Sequence, residues 1–154
     1  MAIYTGKGDK GETCVFDKNS GKKVIISKDS FKIKTLGVID ELTSFLGVVI
    51  SFCGLCEISS YLKEVQKDLL TIGSIIAGSK LKFNSLRTKK IEKIIDEKEK
   101  ILPLLKNFII PGGTIGASQL HFGRCLARKA KRVMVSLSKK ERIAPEILIY
   151  LNRL

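Results

Sequence analysis

The sequence is poor in the residues that build base-stacking surfaces, metal cages and membrane leaders. Aromatics make up 6% of its 154 residues, and no Lys/Arg run is interleaved with them. The formal net charge of +13 therefore does not read as a nucleic-acid surface, which pairs basic side chains with stacking rings. Most of that charge is lysine spread along the whole chain, as on a solvated surface. It suits an acidic small-molecule ligand better. One histidine, His121, and four cysteines, Cys14, Cys53, Cys56 and Cys125, are present. The pair in Cys53-Gly54-Leu55-Cys56 has no second pair to complete a zinc site, so no metal site is expected. It also lacks the βαβ setting of a redox motif. It reads as two small residues near a helix end, with a disulfide between them left open. No apolar run approaches bilayer length, the longest being Leu46–Ile50. No apolar leader follows Met1-Ala2-Ile3-Tyr4-Thr5. No membrane span, no secretion and a cytoplasmic location are the resulting expectations.

What is there is a helical pattern. Hydrophobic residues make up 44% of the chain, enough for one folded domain over residues 1–154. Residues 1–28 hold Gly6, Gly8, Gly11 and Gly21 and read as loop, with short extended pieces at Thr13–Phe16 and Val24–Ser27. Residues 29–154 read as a bundle. The first helix runs from Asp29 or Ser30 to about Cys53, with Ile33, Leu36, Ile39, Leu42, Leu46 and Val49 at helical spacing. The second covers about Ser59–Gly78, the glycine suiting a stop. The third covers about Thr88–Leu105, with Pro103 disturbing its end. The fourth covers about Thr114–Ser138. The fifth starts at Ala144-Pro145, proline at a permitted first-turn position. Short connections between amphipathic helices predict an all-α, five-helix up-down bundle with a Gly-rich N-terminal loop.

Three patterns could carry chemistry. In Thr5-Gly6-Lys7-Gly8-Asp9-Lys10-Gly11-Glu12-Thr13, glycines let backbone N–H groups approach phosphate oxygens, and lysines and hydroxyls add charge and donors. The Gly-Lys-Ser/Thr ending of a Walker A loop is missing, and no βαβ unit supports a dinucleotide fingerprint. In the fourth helix, His121, Arg124, Arg128 and Arg132 share one stripe. Half of the six arginines lie in this row of like charge, which needs anionic partners. The apolar residues around it place the stripe in a cleft or interface. In the first helix, Asp40-Glu41 sits amid Val38, Ile39, Leu42 and Phe45. Both acids are expected to be partly buried, with an arginine of the fourth helix as partner.

In this order the pieces resemble the trimeric, propanediol-utilisation type of ATP:cob(I)alamin adenosyltransferase. The match runs nearly end to end. It includes Ile3-Tyr4-Thr5, Gly8 to Thr13, Gly37-Val38-Ile39-Asp40-Glu41-Leu42, Val65-Gln66-Lys67-Asp68-Leu69 and Phe108-Ile109-Ile110-Pro111-Gly112-Gly113. It continues with Leu120-His121 and the three arginines, and ends on Tyr150-Leu151-Asn152-Arg153-Leu154.

The resemblance implies a ferritin-like five-helix bundle assembled as a homotrimer, with ATP at the subunit interfaces. It implies transfer of the 5′-deoxyadenosyl group of ATP to Co(I) of reduced cobalamin, cob(I)alamin, with release of triphosphate. ATP with Mg²⁺ and cob(I)alamin are the implied small molecules, and a flavin reductase is the possible partner. Implied ATP-binding residues are Thr5, Gly8, Asp9, Lys10, Gly11, Thr13, Arg128 and Asn152. Implied catalytic residues are Arg128 facing ATP, Asp40 and Arg124 as an intersubunit ion pair near the corrin, and Phe108, which displaces the lower axial ligand. The chain departs from the family pattern at several positions. Lys131 stands where an acid associated with the ATP site is usual, Lys129 replaces an arginine, and Thr43 replaces an asparagine. Gly6-Lys7 shifts a basic residue by one position. The family's Ser-Asp and further helix after Asn-Arg-Leu is missing from this sequence. These changes raise an alternative: a catalytically weakened ATP- or cobalamin-binding relative with the same fold.

Overall fold

The structure, a computed structural model, describes residues 4–53 and 57–154. Ile3 and Cys56 lie outside the described residues, as does the side chain of Cys53, and with them the question of a Cys53–Cys56 bridge. Five helices follow a two-stranded hairpin: β1 (Glu12–Phe16), β2 (Lys23–Ser27), α1 (Phe31–Cys53), α2 (Glu57–Ile76), α3 (Leu86–Glu99), α4 (Ile115–Ser138) and α5 (Pro145–Arg153). The hairpin adds a small sheet to the expected helical bundle. The extended pieces read from the sequence do pair, antiparallel, from Glu12 opposite Ser27 to Phe16 opposite Lys23.

Four of the helices bury the stripe their spacing marks out, while α3 buries only Thr88. In α1, Ile39, Leu42, Leu46 and Val49 are buried; α2 contributes Leu69, Ile72 and Ile76, and α4 contributes Leu126, Ala130, Met134 and Leu137. Ile147, Tyr150 and Leu151 of α5 close the same core. α1 packs chiefly on α4 and α2, while α3 lies against α5. The caps are local chemistry. Ser30 Oγ accepts from the Ile33 amide at 3.4 Å, and Thr114 Oγ1 accepts from the Ala117 amide at 3.2 Å, each satisfying a first-turn donor. Thr35 and Thr43 sit within α1 by donating to the carbonyls of Phe31 and Ile39.

α2 ends in a Schellman motif. The Ser79 amide donates to the Ser74 carbonyl at 2.9 Å and the Gly78 amide to the Ile75 carbonyl at 3.1 Å, with Gly78 at φ +103°, the left-handed turn that favours glycine. The hairpin docks at this point. The Phe16 amide donates to the Ala77 carbonyl at 2.9 Å.

One expectation needs correction. The third helix stops at Glu99, short of Leu105, because the ring of Pro103 disfavours helical backbone in the residue before it; residues 101–113 run as irregular chain. By length and composition alone the 22 residues Phe31–Phe52 would suffice to cross a membrane, with an 18-residue window at mean hydropathy 1.5. Asp40 and Glu41 interrupt the run without lowering its mean far. This helix packs on α2 and α4 along Ile39, Leu42, Leu46 and Val49.

Candidate functional site

The N-terminal segment is shaped by two left-handed glycines, Gly6 and Gly11. They fold Gly6–Gly11 into successive turns, with the Asp9 amide donating to the Gly6 carbonyl and the Gly11 amide to the Gly8 carbonyl. Lys28, beyond the hairpin, braces them. Its Nζ donates to the Gly8 carbonyl at 2.8 Å, and its amide donates to the Gly11 carbonyl at 2.8 Å. A side chain at Gly8 would press on that ammonium, a Cβ standing 3.0 Å from it. The result is a groove of about 510 Å³ lined by Thr5, Lys7, Gly8, Thr13, Lys23 and Lys28 among others. Thr5, Gly8 and Thr13 thus line one groove. Asp9 and Lys10 lie on the same turns, exposed. Lys23 and Lys28 escape a reading of the glycine run alone. Their signal is the strand pairing, which folds β2 back onto that run.

On α4 the stripe exists, and it faces outward. Arg124, Arg128 and Arg132 are exposed and His121 is half-buried, while Gly123, Leu126, Ala127 and Ala130 face the core. Among the described residues no salt bridge involves any of the three arginines. Most carboxylates are spent elsewhere, for example Glu92 on Arg153 and Glu64 on Lys90 and Arg87.

The acids of α1 do not behave as their apolar neighbours suggest. Asp40 and Glu41 are both exposed, because the buried stripe of α1 passes through Ile39 and Leu42 on its other side. Glu41 pairs with Lys129 at 2.6 Å, not with an arginine. Asp40 has no ion pair among the described residues and borders a groove between α1 and α2, with Gly37, Thr43, Leu69 and Gly73. Asp40 and Arg124 are thus two exposed, opposite charges that the single chain leaves unmatched.

Asn152, in the last turn of α5, accepts a hydrogen bond on Oδ1 from Lys131 Nζ of α4. This links the candidate ATP contact to the arginine helix. Phe108 stands fully exposed in an extended run with Ile109 and Ile110 also exposed. Among the described residues no hydrogen bond or ion pair joins the N-terminal groove to α4, Phe108 or Asn152.

A buried polar network lies beneath α5. Tyr150 Oη donates to Asp68 Oδ2 at 2.9 Å, and Arg87 Nε stands 3.4 Å from Asp68 Oδ1. Burial pushes the Asp68 carboxyl above its ordinary range, against the Tyr150 hydrogen bond and the Arg87 charge. Burial and the adjacent Asp68 also push the Tyr150 hydroxyl up strongly. This network fixes α5 to α2, and so fixes Asn152 two residues on. Gln66 does the same for α1 and α2, donating to the Thr43 carbonyl at 2.9 Å.

Comparison with known proteins agrees with this architecture. The family model for cobalamin adenosyltransferase matches residues 3–154. The chain is 35% identical over 162 residues to the corrinoid adenosyltransferase of Bacillus subtilis (strain 168), covering all of this chain (100%) and 81% of that protein. It is 31% identical over 159 residues to the corrinoid adenosyltransferase of Citrobacter freundii, covering 99% and 88%. Among solved structures it is similar to a Phe-to-Ala variant of the PduO-type ATP:corrinoid adenosyltransferase from Lactobacillus reuteri complexed with cobalamin and ATP. There the TM-score is 0.90 at 34% identity, covering 99% of this chain and 86% of that one. With the bundle, the glycine turns and the arginine helix in sequence order, the chain belongs to the cobalamin adenosyltransferase family.

Proposed function

We infer that the chain transfers the 5′-deoxyadenosyl group of ATP to Co(I) of reduced cobalamin, giving adenosylcobalamin and triphosphate. The observation that carries this, beside the family match, is the row of unpaired arginines on α4. Co(I) is itself a strong nucleophile, so the protein need supply none. Its work is to hold the 5′ carbon in line with the metal and to stabilise charge on the departing triphosphate. Arg128 supplies a planar pair of donors for that charge, Asn152 contacts ATP, and Thr5, Gly8, Asp9, Lys10, Gly11 and Thr13 form the phosphate loop.

Mg²⁺ enters with ATP as part of the substrate. Among the described residues no group of three His, Cys, Asp or Glu side chains could hold an ion alone. Mg²⁺ is commonly carried by phosphate oxygens and water with one or two carboxylates. Glu12, at the edge of the N-terminal groove, is the carboxylate within reach of that role, and no step depends on it.

The assembly in this reading is a homotrimer with ATP between subunits. The exposed Phe108 segment, the outward face of α1 and the opposite charges of Asp40 and Arg124 support it: the first two leave apolar side chains in water that a second copy would cover, and the charges would be complementary across such an interface. Asp40 and Arg124 form the intersubunit pair, and Phe108 crowds the lower face of the corrin. The electrons that make Co(I) come from a separate donor, a flavin reductase, in the cytoplasm where ATP is abundant. One observation favours a weakened relative instead. Lys129 is engaged by Glu41 and offers an ATP site no forked donor.

An anaerobic assay with reduced cobalamin, ATP and Mg²⁺, following loss of the Co(I) absorbance, separates the two. Turnover that falls roughly a hundredfold or more in Arg128→Ala supports the enzyme. No turnover from wild-type protein that binds ATP supports the weakened relative.

A further inference from the structure

Among the described residues most engaged cations, Lys32, Lys34, Lys90, Lys98, Lys129 and Arg153 among them, take a carboxylate. Lys28 instead takes the backbone carbonyl of Gly8, and Lys131 takes a side-chain amide, through Oδ1 of Asn152. That choice fixes the amide's polarity. An ammonium is donor only, so the carbonyl end of Asn152 must face it and the NH₂ end must face away. Lys131 is half-buried and Asn152 exposed, so the NH₂ end opens outward. Arg128 stands on the same face of α4, one turn back.

We propose that Lys131 turns Asn152 into a donor and, with it and Arg128, forms a donor-only subsite for an oxygen of the polyphosphate chain. The outward groups are the Asn152 NH₂, the remaining Lys131 N–H bonds and the Arg128 fork, with no acceptor among them. Such a surface takes phosphate oxygens and rejects groups that must donate, such as ribose hydroxyls acting as donors or the adenine amino group. The proposal rests on the reading of α4 and Asn152 as the ATP site, and assigns that site's Lys131 corner to the leaving group. Lys131 contacts the ligand and also positions Asn152. A carboxylate at 131 would do the reverse: it would accept from the NH₂ end and turn the carbonyl outward.

The test is calorimetric titration of wild type, Lys131→Arg, Lys131→Gln and Lys131→Glu with inorganic tripolyphosphate, ATP and adenosine, with circular dichroism to confirm the fold of each. Tripolyphosphate and ATP should bind roughly tenfold more weakly to Lys131→Gln and more weakly still to Lys131→Glu. Lys131→Arg should keep most of the affinity, and adenosine affinity should stay within about twofold throughout. Wild-type protein that adenosylates cobalamin, with tripolyphosphate affinity unchanged in the Gln and Glu variants, overturns the subsite and leaves the function standing. Equal losses for adenosine and tripolyphosphate overturn it too, since they point to a general disturbance of Asn152. Wild-type protein that binds neither ATP nor tripolyphosphate overturns the functional reading and the subsite together.

Discussion

At Gly78 the chain needs a residue without a Cβ on two counts. The backbone is left-handed, at φ +103°, which costs other residues about 1–2 kcal/mol. A Cβ there would also stand 1.8 Å from the Phe16 carbonyl oxygen, so the hairpin would have to move. Gly78→Ala should therefore lose more than about 2 kcal/mol, read as a lower urea midpoint, and its KM for ATP should rise if the turns that lead into β1 hold phosphate as proposed. An unchanged midpoint would mean the hairpin is not anchored there. Asp68 gives a prediction in pH. Burial raises its folded pKa above the ordinary 3.8, so the folded state holds the proton more tightly than the unfolded state. Its contribution is fully present below pH 3.8 and is lost as pH rises through the raised folded value. Wild type should match Asp68→Asn in stability at the acid end of this window and fall behind it as pH rises. A difference that does not change with pH, or grows the other way, would show that Arg87 and Tyr150 outweigh burial.

At the scale of elements, the sequence made helices legible because α1, α2, α4 and α5 each bury one apolar stripe. The alternation of Ile39, Leu42, Leu46 and Val49 in α1, or Leu126, Ala130, Met134 and Leu137 in α4, is visible in the letters and buried in the fold. The hairpin was legible as two extended pieces from its β-branched residues, Thr13, Val15, Val24, Ile25 and Ile26, although only Val15 of these is buried. What was not legible depends on contacts distant in sequence. Gly78 reads as a helix stop, and only the fold reveals that it also receives Phe16. Asp68, Arg87 and Tyr150 meet from three helices, and nothing in their local spacing announces it. Asp40 and Glu41 were misjudged because successive residues of a helix turn by about 100°, so Ile39 and Leu42 reach the core while the two acids between them face outward. The arginine stripe was legible as a stripe, but not the fact that it lacks a partner within the chain. The two faces of α4 should separate in mutagenesis. Met134→Ala, at a fully buried site, should lose about 2–5 kcal/mol. Arg132→Ala, exposed and without an ion pair, should stay within about 0.5 kcal/mol of wild type. Chemical denaturation of both reads the contrast. Comparable losses would place Arg132 in the packing of the bundle.

At the scale of the whole molecule, the outward face of α1 is the feature the single chain does not explain. Gly37, Asp40, Ser44, Val48 and Phe52 follow one another at helical spacing and all are exposed. Phe52 and Val48 are apolar, and Gly37 sits inside a helix, where it costs roughly 0.5–1 kcal/mol relative to alanine. Within the chain nothing requires that glycine, since a Cβ there would meet no atom within 4 Å. A glycine with open space before it is what the close approach of another backbone needs. In the trimer reading, this face receives the neighbouring subunit and brings Asp40 to its Arg124, joining an N-terminal loop and an arginine helix that share no hydrogen bond or ion pair among the described residues. Gly37→Gln then makes opposite predictions for fold and function. The isolated chain should be as stable as wild type or more so, because glutamine favours helix more than glycine does. The assembly should fall apart, seen as a shift from trimer to monomer in analytical ultracentrifugation, with cobalamin adenosylation lost alongside it. A Gly37→Gln protein that stays trimeric and active would move the interface off α1. A wild-type protein that is monomeric and active would show that one chain closes the site alone.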